Sequence, residues 1–360
     1  MICKRITYEN FRNIKEQTLE LSPEVNVLYG DNAEGKTNAL EGICVFATGK
    51  TFRQGNDRDL ISFDSEVCRL KNTFVDKNRE QEMEIKLVRG SRRSVTRNGV
   101  PVRRTADMLG YFRAVLFCPE HLSIVKDGPA ERRSFLDAAI SQLKPFYLTS
   151  LQKYFEALEQ RNRLIREYEE NRSAFDSTVD LWSGIMAREA ALISKERAEY
   201  IKRLDVKVGE FFSDMTKGEE KTSIEYHGEK TEDEFVRLFS EDLEREVAAG
   251  TTLHGVQKDD FLITLNGREA RVYCSQGQQR SLALAMKMGE GEISREISLD
   301  YPVFLLDDIF SELDDKRKNY LLNGIKGKQV VITSCERIDP GVRAAVFRVS
   351  KGSYTPIREV

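Results

Sequence analysis

Eight consecutive residues, Gly30-Asp31-Asn32-Ala33-Glu34-Gly35-Lys36-Thr37, carry the most specific chemistry in this sequence. They fit the pattern G-x-x-x-x-G-K-[ST], whose glycines let the backbone curl until its N–H groups point at phosphate oxygens. An apolar run at 25–29 leads into the loop, and residues 37–47, starting with Thr37 and Asn38, have helical character. A helix beginning there adds partial positive charge at the same spot. Lys36 would sit between the β- and γ-phosphates of ATP, and Thr37 would offer its hydroxyl to Mg²⁺. Far down the chain, Val303-Phe304-Leu305-Leu306-Asp307-Asp308 reads as a buried strand delivering acids at its C-terminal end, where ligands bind in parallel sheets. Asp307 would hold Mg²⁺ through water, and Asp308 would orient the attacking water as general base. The alternative for Asp308 is a helix N-cap or a solvated carboxylate.

A third segment, Ser275-Gln276-Gly277-Gln278-Gln279, precedes a helical stretch at 280–287. A plain P-loop enzyme has no use for it, although by itself it also reads as a polar turn capping a helix. It resembles the signature of the ABC ATPases. That resemblance implies that Ser275, Gly277, Gln278 and the helix N-terminus bind the γ-phosphate of ATP held on another subunit. One sheet cannot place both helix N-termini on one phosphate, so the nucleotide becomes the glue of a homodimer. Ser311-Glu312-Leu313-Asp314 follows the acidic strand at the spacing of an ABC D-loop, and equally reads as an ordinary helix start.

The elements that must position these motifs are legible in outline. Residues 2–8 and 16–21 alternate like strands, 67–102 is β-rich with a half-buried strand at 83–88, and Asn98-Gly99 marks a hairpin turn. Residues 114–117 form another buried strand. From 131 to 215 apolar residues repeat at three and four, as in Trp182, Met186, Ala190 and Ile193, with Lys, Arg and Glu between them. After residue 250 come a strand at 261–265, a turn at Asn266-Gly267, a helix at 277–289, and strands at 303–306 and 330–333. The P-loop lies near one end and the acidic strand near the other, so the two ends must meet in one sheet. The expected fold is therefore α/β, laid out like an SMC-type ABC-ATPase head. It combines a mixed β-sheet with a P-loop core, an antiparallel β subdomain and an inserted helical lobe. The division is 1–130, 131–250 and 251–360.

Composition narrows the partners. A net charge of −3 excludes a global basic field, so any nucleic acid must meet a local patch. The six cysteines form no C-x-x-C pair and only three histidines exist, which argues against zinc. No apolar run reaches the ~20 residues needed to span a bilayer. The start, Met-Ile-Cys-Lys-Arg, leads straight into a strand-like alternation rather than a signal peptide. The expectation is a soluble cytoplasmic protein with no membrane partner.

Over most of its length the chain resembles the RecF family. The resemblance rests on Asn10-Phe11-Arg12-Asn13, the P-loop with Asn38-Ala39-Leu40-Glu41, Asp57-Arg58-Asp59-Leu60-Ile61, and Phe117-Cys118-Pro119-Glu120-His121-Leu122. It rests also on Gly128-Pro129, Arg132-Arg133-Ser134-Phe135-Leu136-Asp137, Gln160-Arg161-Asn162 and the Asp307-Asp308 pair. It implies a monomer that dimerises on ATP, binds double-stranded DNA and hydrolyses ATP slowly to reset. It also implies action at single-strand/double-strand junctions with RecR and RecO, helping RecA to load. Three features depart from the expected pattern. Gly255-Val256-Gln257-Lys258-Asp259-Asp260 stands where Gly-Pro-His-Arg-Asp-Asp is expected. No switch histidine follows the strand at 330–332, leaving Thr333 or Ser334 to sense the γ-phosphate. No Q-loop glutamine follows 114–117, and Glu120 is the nearest substitute. Arg89, Arg92, Arg93, Arg97, Arg103 and Arg104, around the hairpin, are the candidate DNA contacts. A small-molecule kinase would not need residues 275–279, and an SMC-like structural protein would bind ATP and a protein partner but not DNA.

Overall fold

The computed structural model describes residues 1–53, 55–77, 79–338 and 344–357. The chain opens with β1 (Ile2–Phe11), β2 (Ile14–Glu20), β3 (Val25–Tyr29) and α1 (Lys36–Thr48). Next come β4 (Val67–Asp76), β5 (Arg79–Val88), β6 (Ser94–Arg97), β7 (Val100–Val102) and β8 (Ala114–Phe117). A helical stretch follows: α2 (Ser123–Lys126), α3 (Pro129–Leu143), α4 (Pro145–Arg166) and α5 (Arg172–Thr216). Then β9 (Thr222–Tyr226), α6 (Glu232–Glu241), α7 (Leu243–Ala249), β10 (Phe261–Leu265), β11 (Arg268–Glu269) and α8 (Ala270–Tyr273) lead to α9 (Gln276–Ser298). The chain closes with β12 (Val303–Asp307), α10 (Asp315–Gly324), β13 (Val330–Ser334), β14 (Ala344–Ser350) and β15 (Ser353–Ile357).

The two ends of the chain do meet in one sheet, ordered β15-β14-β3-β13-β12-β8. Within it β14, β3, β13, β12 and β8 run parallel, and β15 closes the edge antiparallel. Both faces are covered, which is why these strands read as unbroken apolar runs. Phe304, Leu306, Val330 and Ile332 face a core shared with α9 and the long helices. Val303, Leu305 and Val331 face a second core with α1 and the antiparallel sheet β2-β1-β4-β5-β6-β7. Alternate residues of one strand thus feed two cores, and the sheet is the shared wall that fixes α1 and α9 on opposite sides.

The helical region is tied down by buried charge as well as by apolar packing. α4 and α5 are joined by a short loop, so they pack as antiparallel neighbours. Arg161, fully buried on α4, pairs with Glu246 of α7 at 2.7 Å and donates to Thr252 Oγ1 at 2.7 Å. Its neighbour Asn162 accepts the Thr252 N–H at 2.8 Å, so Gln160-Arg161-Asn162 is a clasp between elements. In the departing loop the two aspartates are the anchors. Asp260 takes both arms of Arg132 at 2.6 and 2.8 Å, and Asp259 accepts from Arg197 at 3.0 Å. Gln257 is bonded by Tyr154 and donates to the His254 carbonyl. The loop therefore locks α3, α4 and α5 to β10, and β10 pairs back to β9 across residues 227–260.

Candidate functional site

The P-loop is held by three segments distant in sequence. Ala33 and Gly35 have φ of 65° and 114°, and a Cβ on Gly35 would lie 2.8 Å from Asn13 Oδ1. Only glycine escapes both constraints at that position. The last hairpin, β14–β15, braces the loop from outside. Tyr354 donates to the Gly35 carbonyl at 2.7 Å, and the Gly352 N–H donates to the Glu34 carbonyl at 2.8 Å. A side chain at Gly30 would collide with the Val349 carbonyl of β14. Sequence reading missed this hairpin, although Lys351-Gly352 between two alternating runs was the signal.

No side chain caps the start of α1, and no acid sits in its first turn. The N–H groups of Lys36, Thr37 and Asn38 are therefore left for an incoming anion. Lys36 Nζ donates to the carbonyls of Gly30 and Asp31 at 2.6 and 2.8 Å, which fixes its charge at the mouth of the loop. Thr37 Oγ1 donates to Asp307 Oδ1 at 2.9 Å, bringing together the two residues expected to share a metal. These are hard oxygen donors, the type that suits Mg²⁺. Among the described residues no group of three or more His, Cys, Asp or Glu could hold a metal, so a cation at Thr37 and Asp307 needs further oxygens such as those of phosphates.

Thr333 belongs to this centre in a way the sequence did not disclose. It is fully buried, donates to Asp307 Oδ1 at 2.7 Å, and accepts the Asp308 N–H at 2.9 Å. It therefore orients the acidic pair, while Ser334 accepts the Gly30 N–H through its carbonyl at 3.3 Å. Burial pushes the Asp307 carboxyl above its ordinary value, against the pull of the Thr333 and Thr37 hydrogen bonds. An acid whose pKa is raised on folding binds its proton more tightly folded than unfolded. Its contribution to stability is full below the unfolded pKa and is lost as pH rises through the folded one. Asp307→Asn keeps an oxygen for both threonines and removes the buried charge. The nucleotide-free Asn variant is expected to melt a few degrees above the unmodified chain at pH 8, with the difference vanishing near pH 4. A lower melting temperature at pH 8 would contradict this.

A cleft of about 820 Å³ opens beside Asn13 and Asn38, walled by Arg12, Arg53 and Ile61, with Phe63 on its rim. Its wall is a single network. Asn38 donates to Asn13 Oδ1 at 2.8 Å and accepts from Arg53 at 2.9 Å, and Arg12 grips the buried Glu41 with both arms at 2.9 and 2.7 Å. The motifs at 10–13 and 38–41 are thus one structure.

Ser275 N-caps α9. Its Oγ accepts the Gln278 N–H at 3.3 Å, and the Gln278 side chain accepts the Ser275 N–H at 2.9 Å. Ser275 and Gln276 are exposed. Arg317 backs the turn, lying 3.1 Å from where a Cβ on Gly277 would be, and Arg280 joins the helix to Glu312 at 2.8 Å. Gln278 also donates to Glu220, beyond the end of α5, at 2.5 Å. Among the described residues no hydrogen bond joins 275–279 to 30–38 within one chain.

The arginines around the β6–β7 hairpin are mostly engaged. Arg93 pairs with Asp57, Arg104 with Asp107 at 2.7 Å, Arg97 covers the Tyr111 ring at 3.6 Å, and Arg89 donates to the Ser65 carbonyl at 2.9 Å. Arg92 and Arg103 are exposed and have no partner among the described residues. Of the six, only Arg97 lies in a strand of the hairpin itself.

The sequence profile of the RecF/RecN/SMC N terminal domain matches residues 2–349. The DNA replication and repair protein RecF of Lachnoclostridium phytofermentans is 36% identical, with 92% of each chain covered. This chain belongs to the RecF family. RecF of Agathobacter rectalis is 35% identical over the full length of both. The solved structure of the recombination mediator protein RecF-ATPrS in the RecFOR pathway superposes with a TM-score of 0.92 at 33% identity, covering 99% and 98% of the two chains. The Smc head domain from Pyrococcus furiosus, at 15% identity and a TM-score of 0.57, shares the fold. The chain is therefore an ABC-type ATPase head of the RecF/SMC kind. No helix among the described residues is long and apolar enough to cross a membrane.

Proposed function

We propose that two copies of this chain close on ATP and that the closed homodimer clamps double-stranded DNA at single-strand/double-strand junctions. Acting with RecR and RecO, it helps RecA to load onto the single strand, and slow hydrolysis resets it. Such work on chromosomal DNA belongs in the cytoplasm. What carries the reading is the division of the site: an open helix N-terminus with Lys36 in one place, and a serine-tipped helix N-terminus in another. Residues 30–38 would cradle the triphosphate of one copy, and Ser275, Gly277 and Gln278 of the second copy would meet its γ-phosphate. Mg²⁺, when bound, would sit at Thr37 and Asp307 and neutralise developing charge on the phosphates. Asp308 would accept the proton of the attacking water. Arg92 and Arg103, both exposed, offer phosphate contacts that carry no sequence information.

Light scattering with and without ATP, and with and without gapped duplex DNA, tests this. The expected result is a monomer that becomes a dimer with ATP and then binds duplex, with affinity falling steeply as salt rises. A dimer that ignores duplex DNA at low salt would leave only a partner-binding role. The Glu220 contact gives a second test. A carboxylate beside the end of α9 repels the incoming γ-phosphate, so Glu220→Gln is expected to tighten ATP-dependent dimerisation roughly tenfold. An unchanged dimer constant would count against that placement of the phosphate.

A further inference from the structure

Two large side chains are exposed at the edges of the two half-sites. Phe63 is 99% exposed on the rim of the 820 Å³ cleft, and Tyr273 is 67% exposed just before the signature turn. Leaving a phenylalanine in water forgoes the burial that normally drives folding. Phe63 is not carried by a slack loop. Its neighbour Ser62 donates its N–H to the Asn10 carbonyl at 2.9 Å and its hydroxyl to the Arg12 carbonyl at 2.6 Å, and Ser65 closes a turn back to Ser62 at 3.0 Å. The ring is held out by a rigid turn.

Tyr273 ends α8, whose first residue, Ala270, is fully buried and anchors it. Cys274 and Ser275 then have extended backbones, with φ of −80° and −62°. Two residues of such chain span about 7 Å at most. Tyr273 and Ser275 are both exposed, while Cys274 between them is half-buried.

Resting on the shared-site reading above, we propose that Tyr273 of one copy closes over the nucleoside held in the other copy's cleft, opposite Phe63. If Ser275 meets the γ-phosphate, the exposed ring two positions earlier, within about 7 Å along the chain, is near enough to reach further along the nucleotide, towards its base. The open cleft beside Asn38 is where that base leaves the P-loop. Its walls, Arg12, Arg53 and Ile61, cover it from within one chain, and its outer side is completed by the second copy. The pair of rings makes closure depend on the base as well as on the phosphates. The ligand class is a purine nucleoside triphosphate, and Tyr273 is a specificity-determining residue supplied in trans.

Dimerisation measured by sedimentation decides this. Tyr273→Ala is expected to weaken ATP-driven pairing roughly ten- to a hundredfold, as loss of one base-stacking ring does. Tyr273→Phe should retain pairing, and ATP affinity of the monomeric Ala variant should be unchanged. Tripolyphosphate with Mg²⁺ should not pair the unmodified chain. Phe63→Ala combined with Tyr273→Ala should pair less poorly than the two single losses multiplied together, because both rings act on one base. Normal ATP-driven pairing of Tyr273→Ala, beside an unmodified chain that also pairs, overturns the trans contact and leaves the shared site standing. An unmodified chain that stays monomeric with ATP overturns both.

Discussion

In the presence of ATP, Ser275→Arg is expected to bind nucleotide and remain a monomer, whereas Lys36→Ala takes up no measurable nucleotide. The two variants strike different half-sites. Lys36 is 6% exposed and already positioned over the loop by the Gly30 and Asp31 carbonyls, so its ammonium needs little rearrangement to meet phosphate. Removing one partner of such a charge pair costs about 2–5 kcal/mol, which is roughly a thirtyfold to several-thousandfold loss of affinity. Ser275 touches nothing in its own P-loop, so an arginine there leaves cis binding alone. Its bulk and length fill the space into which the other copy's γ-phosphate must fit. The lost N-cap costs about 1 kcal/mol, visible as a small fall in melting temperature. Equilibrium nucleotide binding and light scattering on the same samples separate the outcomes. Normal pairing of Ser275→Arg would remove the reason for placing α9 against a second copy.

Asp308→Asn is expected to bind ATP, pair, and stay paired, with turnover reduced about 10²- to 10⁴-fold, the scale of losing a general base. The neighbouring acids are treated differently by the fold. Asp307 is buried and bonded by two threonines. Asp308 has a left-handed backbone, φ 48°, which interrupts strand geometry directly after Asp307. Its carboxylate has no hydrogen-bond partner among the described residues, and its pKa is raised by burial and drawn back by Lys36. Aspartate tolerates that backbone better than most residues, and asparagine does too, so the substitution spares the turn. A helix N-cap was the bland alternative, but no side-chain cap is made there. Phosphate release under single turnover, followed by sizing over time, measures the trap. A rate equal to that of the unmodified chain would return Asp308 to the status of a solvated carboxylate.

What could be read from the sequence was local. The loop at 30–37, the strand at 303–307, the turns Asn98-Gly99 and Asn266-Gly267 and the serine before α9 are each specified within a few residues. Backbone conformation and apolar periodicity are set at that range. α9 runs nine residues past the expected 277–289, and Gly289 and Gly291 lie inside it, packed against Leu204 and Phe304 rather than ending it. In the arginine cluster, four of the six are engaged by Asp57, Asp107, Tyr111 and Ser65, and because those partners lie outside the short stretch the sequence could not separate them from Arg92 and Arg103.

By itself, then, the sequence determined the phosphate loop, the acidic strand, the capped helix after Ser275 and the meeting of the chain's two ends in one sheet. Only the tertiary structure decided which distant residues complete those parts. Sheet order sets β13 between β3 and β12, which delivers Thr333 to Asp307, and β14 beside β3, which lets Tyr354 of β15 reach Gly35. The same folding brings Glu220 to Gln278 and joins Arg12, Glu41, Arg53 and Asn38 into one wall. The physical reason is range: torsional preference and side-chain alternation act between neighbours along the chain, whereas hydrogen-bond partners are chosen by packing between segments up to some three hundred residues apart.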